Sequence, residues 1–247
     1  MPHPVNQTGA HGVYGWTSRL LALVLPSRCL VCGERGENGS DLCPSCRQSL
    51  PWLTAACSRC ALPLAVDAAL CGECLRRPPP QACTHAAFVY RAPLGRLLPR
   101  AKFHGDLAGL RLLSLLMAER LRDAHPDRGA RPQALVPVPL HRNRLRQRGY
   151  DQALELARPL ARRLAVPVRD DLLRRVRATA AQSRLDASAR RRNLRGAFQV
   201  RNGVLLPEHV ALVDDVMTTG ATARSAATAL LHAGVRRVDV WVCARVP

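Results

Sequence analysis

Val210-Ala-Leu-Val-Asp-Asp-Val-Met-Thr-Thr-Gly-Ala-Thr222 is the stretch whose reading decides the fold. Residues 210–213 are an unbroken apolar run, the composition of a parallel strand buried on both faces. Residues 221–233 are alanine-rich, with apolar positions at helical spacing. A strand therefore runs into a helix through a short turn. The first N–H groups of a helix have no intrahelical acceptor and the helix dipole adds partial positive charge, so a phosphate fits there. Gly220 permits close backbone approach, and Thr218, Thr219 and Thr222 add hydroxyl donors around Ala221. Asp214 and Asp215 would repel a phosphate and must face something else, for which ribose hydroxyls or a hydrated Mg2+ are the candidates. The alternative is an Asp-Asp pair that closes a strand and a Thr-Thr-Gly that caps a helix.

Outward from this turn the same alternation continues. Residues 237–244 read as a last strand and 197–200 as an earlier one, with Asn202-Gly203 as a turn. Residues 86–91 and 168–177 also read as strands. Residues 107–122 and about 149–164 read as helices, the second kinked at Pro159, and residues 94–98 as a short helix that Pro99 ends. Alternating strands and helices give an α/β domain with a mostly parallel sheet, whose ligands bind outside the C-terminal ends of the strands.

Three further segments bear on that end. Residues 134–140 form an apolar strand interrupted by Pro137 and Pro139, after which His141, Arg142, Arg144, Arg146 and Arg148 follow. Prolines at a strand end force a special backbone, and clustered guanidiniums bind phosphate oxygens bidentately. A solvated basic face is the alternative. Lys102, the sole lysine, sits near Gly105 ahead of a helix, either as a compact point charge or as a surface lysine. Residues 178–196 are polar and basic without sustained periodicity, which suits a mobile lid.

The N-terminal part has a different logic. Cys29-x-x-Cys32 with Cys43-x-x-Cys46, and Cys57-x-x-Cys60 with Cys71-x-x-Cys74, repeat one pattern at an offset of 28 residues. Two such knuckles close a tetrahedral shell of four thiolates with no open position, so the expected metal is structural Zn2+ in two sites. The pairing is sequential or cross-braced. A thiol–disulfide cycle would need thioredoxin-like surroundings that four repeated knuckles lack. Cys83 and Cys243 stand outside the repeat as candidate small hydrophobes. The expected organisation is a tail with a short helix over residues 1–26, a double zinc ribbon over 27–76, a Pro-rich linker over 77–82 and the α/β domain over 83–247.

Composition bounds the rest. With 247 residues and 47% apolar content the chain can bury a sizeable core. Its formal charge of +19, from 37 basic and 18 acidic residues, suits a polyanion partner or a polyphosphorylated substrate, or a merely basic surface. Aromatic residues are only 4%, which disfavours base stacking as a source of affinity. The apolar run at residues 20–25 is too short for a signal segment or a membrane span, so a cytoplasmic location with reduced thiols is expected.

The run from Val210 to Thr222 resembles the phosphoribosyl pyrophosphate (PRPP) loop of type I phosphoribosyltransferases. That resemblance implies Asp214 and Asp215 on the ribose 2- and 3-hydroxyls, Thr218, Thr219, Gly220, Ala221 and Thr222 around the 5-phosphate, and Mg2+ accompanying PRPP. The segment with Val138, Pro139, Arg142, Arg144 and Arg148 is similar to the pyrophosphate loop of the same enzymes, with Lys102 on the same side. Together with the eight paired cysteines, Lys102-Phe-His-Gly-Asp106, Arg148-Gly-Tyr-Asp-Gln152 and the lid series Thr179, Gln182, Arg191, Arg192, Asn193, the chain resembles the ComF family, the double-zinc-ribbon, phosphoribosyltransferase-like group named for competence protein F. The family implies two readings. One is transfer of phosphoribose from PRPP to an acceptor. The other is a single-stranded DNA-binding accessory of DNA uptake, alongside other DNA-handling proteins, with the PRPP site serving as a ligand sensor.

Overall fold

The computed structural model describes residues 27–37, 39–66, 68–103, 105–177 and 196–247, with strands β1 (Cys83–Val89), β2 (Ala134–Pro137), β3 (Leu173–Arg175), β4 (Phe198–Val200), β5 (His209–Met217) and β6 (Arg237–Arg245). Its helices are α1 (Pro44–Gln48), α2 (Gly72–Arg76), α3 (Leu94–Phe103), α4 (Leu107–Ala124), α5 (Arg142–Arg148), α6 (Gln152–Leu164) and α7 (Ala221–His232). The helix expected within residues 14–25 and the lid residues Gln182, Arg191, Arg192 and Asn193 lie outside the described residues.

The main sheet has the order β1-β6-β5-β2, and every pair in it is parallel. Val210, Ala211, Leu212 and Val213 are all fully buried, so both faces of β5 are covered, as a parallel sheet requires. On one face Val210, Leu212, Val238, Val240 and Val242 pack against Ala223, Ala226, Ala227 and Leu230 of α7. The small alanines let this helix lie close to the sheet. Helices α4 and α6 pack on each other, with α6 against β2 and β5 and α4 against β1. The antiparallel pair β3–β4 sits beside α7. The α/β class with a parallel sheet and a cysteine-rich N-terminal part is as the sequence anticipates.

Two expectations change. The helix read as ending at Pro99 continues to Phe103 with the proline inside it. Leu94, Leu97 and Leu98 are buried on its inner face, and at about 2 kcal/mol each their burial exceeds the ~3 kcal/mol of an interior proline. The strand read as stopping at Val213 runs on to Met217, because β6 supplies partners to its end: Asp214 lies opposite Val242, Val216 opposite Ala244 and Met217 opposite Arg245. The two carboxylates therefore stand within the strand, and the turn proper is Thr218-Thr219-Gly220.

Two compact units divide the chain, one ending at Ser49 and the other running from Leu50 to Pro247. The second cysteine repeat belongs to the same unit as the sheet. Three consecutive carbonyls of its first knuckle are held there: Ser58 O accepts Thr84 N–H at 2.8 Å, Arg59 O accepts Thr84 Oγ1–H at 2.7 Å, and Cys60 O accepts Arg245 Nε–H at 3.0 Å.

Candidate functional site

The cysteines gather in two groups, Cys29, Cys32, Cys43, Cys46 and Cys57, Cys60, Cys71, Cys74, each with its sulfurs within 4.8 Å of one another. The pairing is thus sequential. Cys32 Sγ–Cys43 Sγ and Cys60 Sγ–Cys71 Sγ are both 3.7 Å apart, about the edge of a tetrahedron with metal–sulfur bonds of about 2.3 Å. The second knuckle of each group opens a short helix, α1 after Cys43 and α2 after Cys71. Burial works against the Cys29 thiolate, but backbone N–H groups of Cys43, Cys32 and Val31 outweigh it and bring its pKa to about 6. Burial and the neighbouring thiols push Cys46 upward. Such crowding resists several negative charges at once unless a cation shares them, and the donor set fits Zn2+. Of the two cysteines outside the repeat, Cys243 is fully buried, while Cys83 is half-buried with its Sγ 3.6 Å from His85 Nε2.

At the C-terminal ends of the strands lies a cleft of about 390 Å³. Val138, Pro139, Arg144, Arg148, Asp214, Asp215, Thr218 and Thr222 all line it, so segments far apart in sequence converge there. Thr219, Gly220 and Ala221 build the turn itself. Gly220 has φ +71° and precedes the first residue of α7, while Thr219 Oγ1 accepts the Ala221 N–H at 3.4 Å. Arg142 stands exposed at the first position of α5 and is not among the lining residues. Lys102 lies in the last turn of α3, and its side chain is outside what the structure describes.

The structure adds residues that sequence reasoning missed: Tyr90, Asp151, Gln152, Arg175 and Val246 also line the cleft. Asp151 caps α6, accepting Ala153 N–H at 3.0 Å and Leu154 N–H at 3.3 Å through Oδ1. Its other oxygen accepts Leu140 N–H at 2.9 Å. Burial holds this carboxyl above the usual range against those three hydrogen bonds, and the Asp215 carboxylate adds to the rise. Gln152 Oε1 accepts Arg148 Nη1–H at 2.8 Å, which aims that guanidinium. Arg175 reaches the cleft from β3 with its guanidinium 5.5 Å from the centre of the Phe198 ring. Burial lowers the pKa of Arg175 and Arg144, each made worse by a neighbouring arginine, and the Asp214 and Asp151 carboxylates oppose the fall at Arg175. Asp151 has a local signal, an N-cap residue two positions after the left-handed Gly149. Tyr90, Arg175 and Val246 have none, since only the packing of β1, β3 and β6 brings them in.

The cleft thus sets the guanidiniums of Arg144, Arg148 and Arg175 against the carboxylates of Asp151, Asp214 and Asp215. Its chemistry suits a ligand with separated anionic and hydroxyl-bearing parts, and its carboxylate oxygens are donors for a hard cation such as Mg2+.

A family model described as "Double zinc ribbon domain" matches residues 20–75. Over 234 residues the chain is 35% identical to the "DNA utilization protein YhgH" of Salmonella typhimurium, covering 90% of this chain and 99% of that protein. It is also 35% identical over 225 residues to "Competence protein F" of Haemophilus influenzae, covering 88% of this chain and 96% of that protein. The chain belongs to the competence protein F family. Among solved structures, this ComF chain has a TM-score of 0.35 and 18% identity to adenine phosphoribosyltransferase from Leishmania donovani, over 58% of this chain and 54% of that one. Among the described residues of this ComF protein no helix is long and apolar enough to cross a membrane.

Proposed function

We propose that this ComF protein binds PRPP, together with Mg2+, in the cleft at the C-terminal ends of its strands. The observation that carries the reading is the convergence of Asp214, Asp215, Thr218 and Thr222 with Arg144 and Arg148 on one cleft. Thr218, Thr219, Gly220 and the first turn of α7 receive the 5-phosphate, the site that a helix start with hydroxyl donors offers. Asp214 and Asp215 accept from the ribose hydroxyls, and Arg144 and Arg148 hold the pyrophosphate. Val138 and Pro139 shape the backbone beneath it. Mg2+, when bound with the pyrophosphate, supplies charge neutralisation there.

For turnover we infer transfer of phosphoribose to an acceptor. The anomeric C–O bond to pyrophosphate breaks, the pyrophosphate leaves with the electron pair, the acceptor's lone pair bonds to the opposite face with inversion, and the acceptor's displaced proton passes to solvent. The arginines stabilise the charge on the leaving group. Thermal denaturation tests the binding. PRPP with Mg2+ should raise the Tm well above the effect of ribose 5-phosphate or pyrophosphate alone, by the binding energy that saturating ligand adds to the folded state. A Tm unmoved by PRPP would remove the reading. Isotope-traced PRPP with a panel of bases, amines and oligonucleotides then separates turnover from ligand sensing.

A role in DNA handling is the second reading, favoured by the formal charge of +19 and by relatives named for DNA utilization and competence. It places the protein in the cytoplasm beside single-stranded DNA, with both zinc sites filled. Phosphate contact then dominates, so affinity falls steeply with salt. An affinity that barely changes with salt concentration would count against it.

A further inference from the structure

One buried side chain joins the second four-cysteine group to the turn after β5. Arg245, at the end of β6, is 7% exposed. Its Nε donates to Cys60 O at 3.0 Å and its Nη1 donates to Met217 O at 3.3 Å and to Val246 O. Cys60 is a member of the metal-ligating knuckle. Met217 is the last residue of β5, directly before Thr218, and its carbonyl also accepts Val246 N–H at 3.0 Å. The Met217 side chain lies under the turn, where its Cε would sit 2.8 Å from a Cβ added at Gly220. One guanidinium therefore bridges the knuckle to the residue that the phosphate turn rests on.

The geometry makes this bridge depend on metal. Zn2+ held by four thiolates would fix the backbone of the knuckle, and Cys60 O with it. The guanidinium that donates to Cys60 O also donates to Met217 O, so a knuckle held in place holds Met217 through Arg245. Without metal the knuckle loses that restraint, and the hold on Met217 O loosens with it. Elsewhere the knuckle is fixed by Thr84 and Gln81, through Ser58 O and Arg59 O.

We propose that Arg245 is a positioning residue through which zinc in the second site sets the geometry of the phosphate turn, so that zinc and the phosphorylated ribose bind cooperatively. The proposal rests on the PRPP reading above. Its consequence is reciprocal: whatever factor zinc adds to ligand affinity, ligand must add to zinc affinity.

The test uses a full-length Cys32→Ser/Cys46→Ser chain, whose remaining zinc lies in the second group. Zinc transfer to a chromophoric chelator is timed with and without PRPP and Mg2+. PRPP should slow release by about tenfold, a typical coupling between sites. Arg245→Lys in this background keeps the charge but cannot span both carbonyls. It should remain folded and zinc-loaded, bind PRPP about tenfold more weakly, and lose most of the slowing. General stabilisation by ligand would slow release equally in the Arg245→Lys chain, and that result would overturn the proposal. If calorimetry shows PRPP binding but release is not slowed, the coupling alone falls. If PRPP does not bind at all, the phosphoribose reading falls and the coupling with it.

Discussion

Asp151 Oδ2 accepts the backbone N–H of Leu140 at 2.9 Å while Oδ1 of the same carboxylate caps helix α6. One side chain thus fixes the exit of β2 to the start of the helix behind it, and Arg148 sits between the two. Asp151→Ala should remove an N-cap and strand the Leu140 N–H, costing about 2–4 kcal/mol. Asp151→Asn keeps one acceptor for the cap but sets its amide NH2 against the Leu140 N–H, and should cost about 1–3 kcal/mol. Denaturant melts of the two variants check this, and stability unchanged in both would mean that the carboxylate is not acting through these hydrogen bonds.

Gly220→Ala places a side chain at φ +71° and against Met217 Cε. The left-handed conformation alone costs a non-glycine residue about 1–2 kcal/mol. Because Met217 can swing, the fold should survive with zinc content unchanged, while the turn moves and PRPP affinity drops by about tenfold for each ~1.4 kcal/mol of lost contact. Ligand titration with a parallel melt measures both. Unchanged affinity would show that the turn is not a ligand site.

Much of this site was legible because its parts are local. The run from Val210 to Thr222 carries its own strand, turn and helix start, and each cysteine knuckle carries its own ligand spacing. Arg144 and Arg148 were legible for a similar reason, since they follow a proline-marked strand end. What the sequence hid is what only packing decides. Arg175 and Tyr90 reach the cleft because β3 and β1 end there, and no pattern around either residue announces it. Pro99 misled because propensity says nothing about Leu94, Leu97 and Leu98 being buried beneath it. The two aspartates belonged to the strand because β6 continues alongside, a pairing between segments invisible in the run itself.

His85 gives the fold a dependence on pH. Burial, with the nearby His125 contributing, lowers its pKa to about 4. Its folded pKa is below the unfolded value, so as pH falls from about 6.5 toward 4 the unfolded chain takes up the proton first and stability is lost. Between about pH 7 and pH 5 the loss should be about 2 kcal/mol. His85→Asn should flatten that part of the stability profile relative to the parent chain. Parallel profiles for the two proteins would contradict it.

Metal content should be two zinc ions per chain, one for each four-cysteine group. Cys60→Ser should release one equivalent and lower the Tm of the unit holding the sheet, because the knuckle carbonyls at Ser58, Arg59 and Cys60 are anchored to that sheet. Metal analysis with melts of parent and variant checks this. Retention of both equivalents would contradict the assignment of Cys60 as a zinc ligand.

The most direct measurement of the central claim is calorimetric titration of the zinc-loaded protein with PRPP and Mg2+, alongside the Asp214→Ala/Asp215→Ala chain. Binding at one site per chain is expected, weakened by about 100-fold or more in the double variant as two charge-assisted hydrogen-bond acceptors are lost. No binding to the parent chain, or equal binding to both chains, would contradict the account.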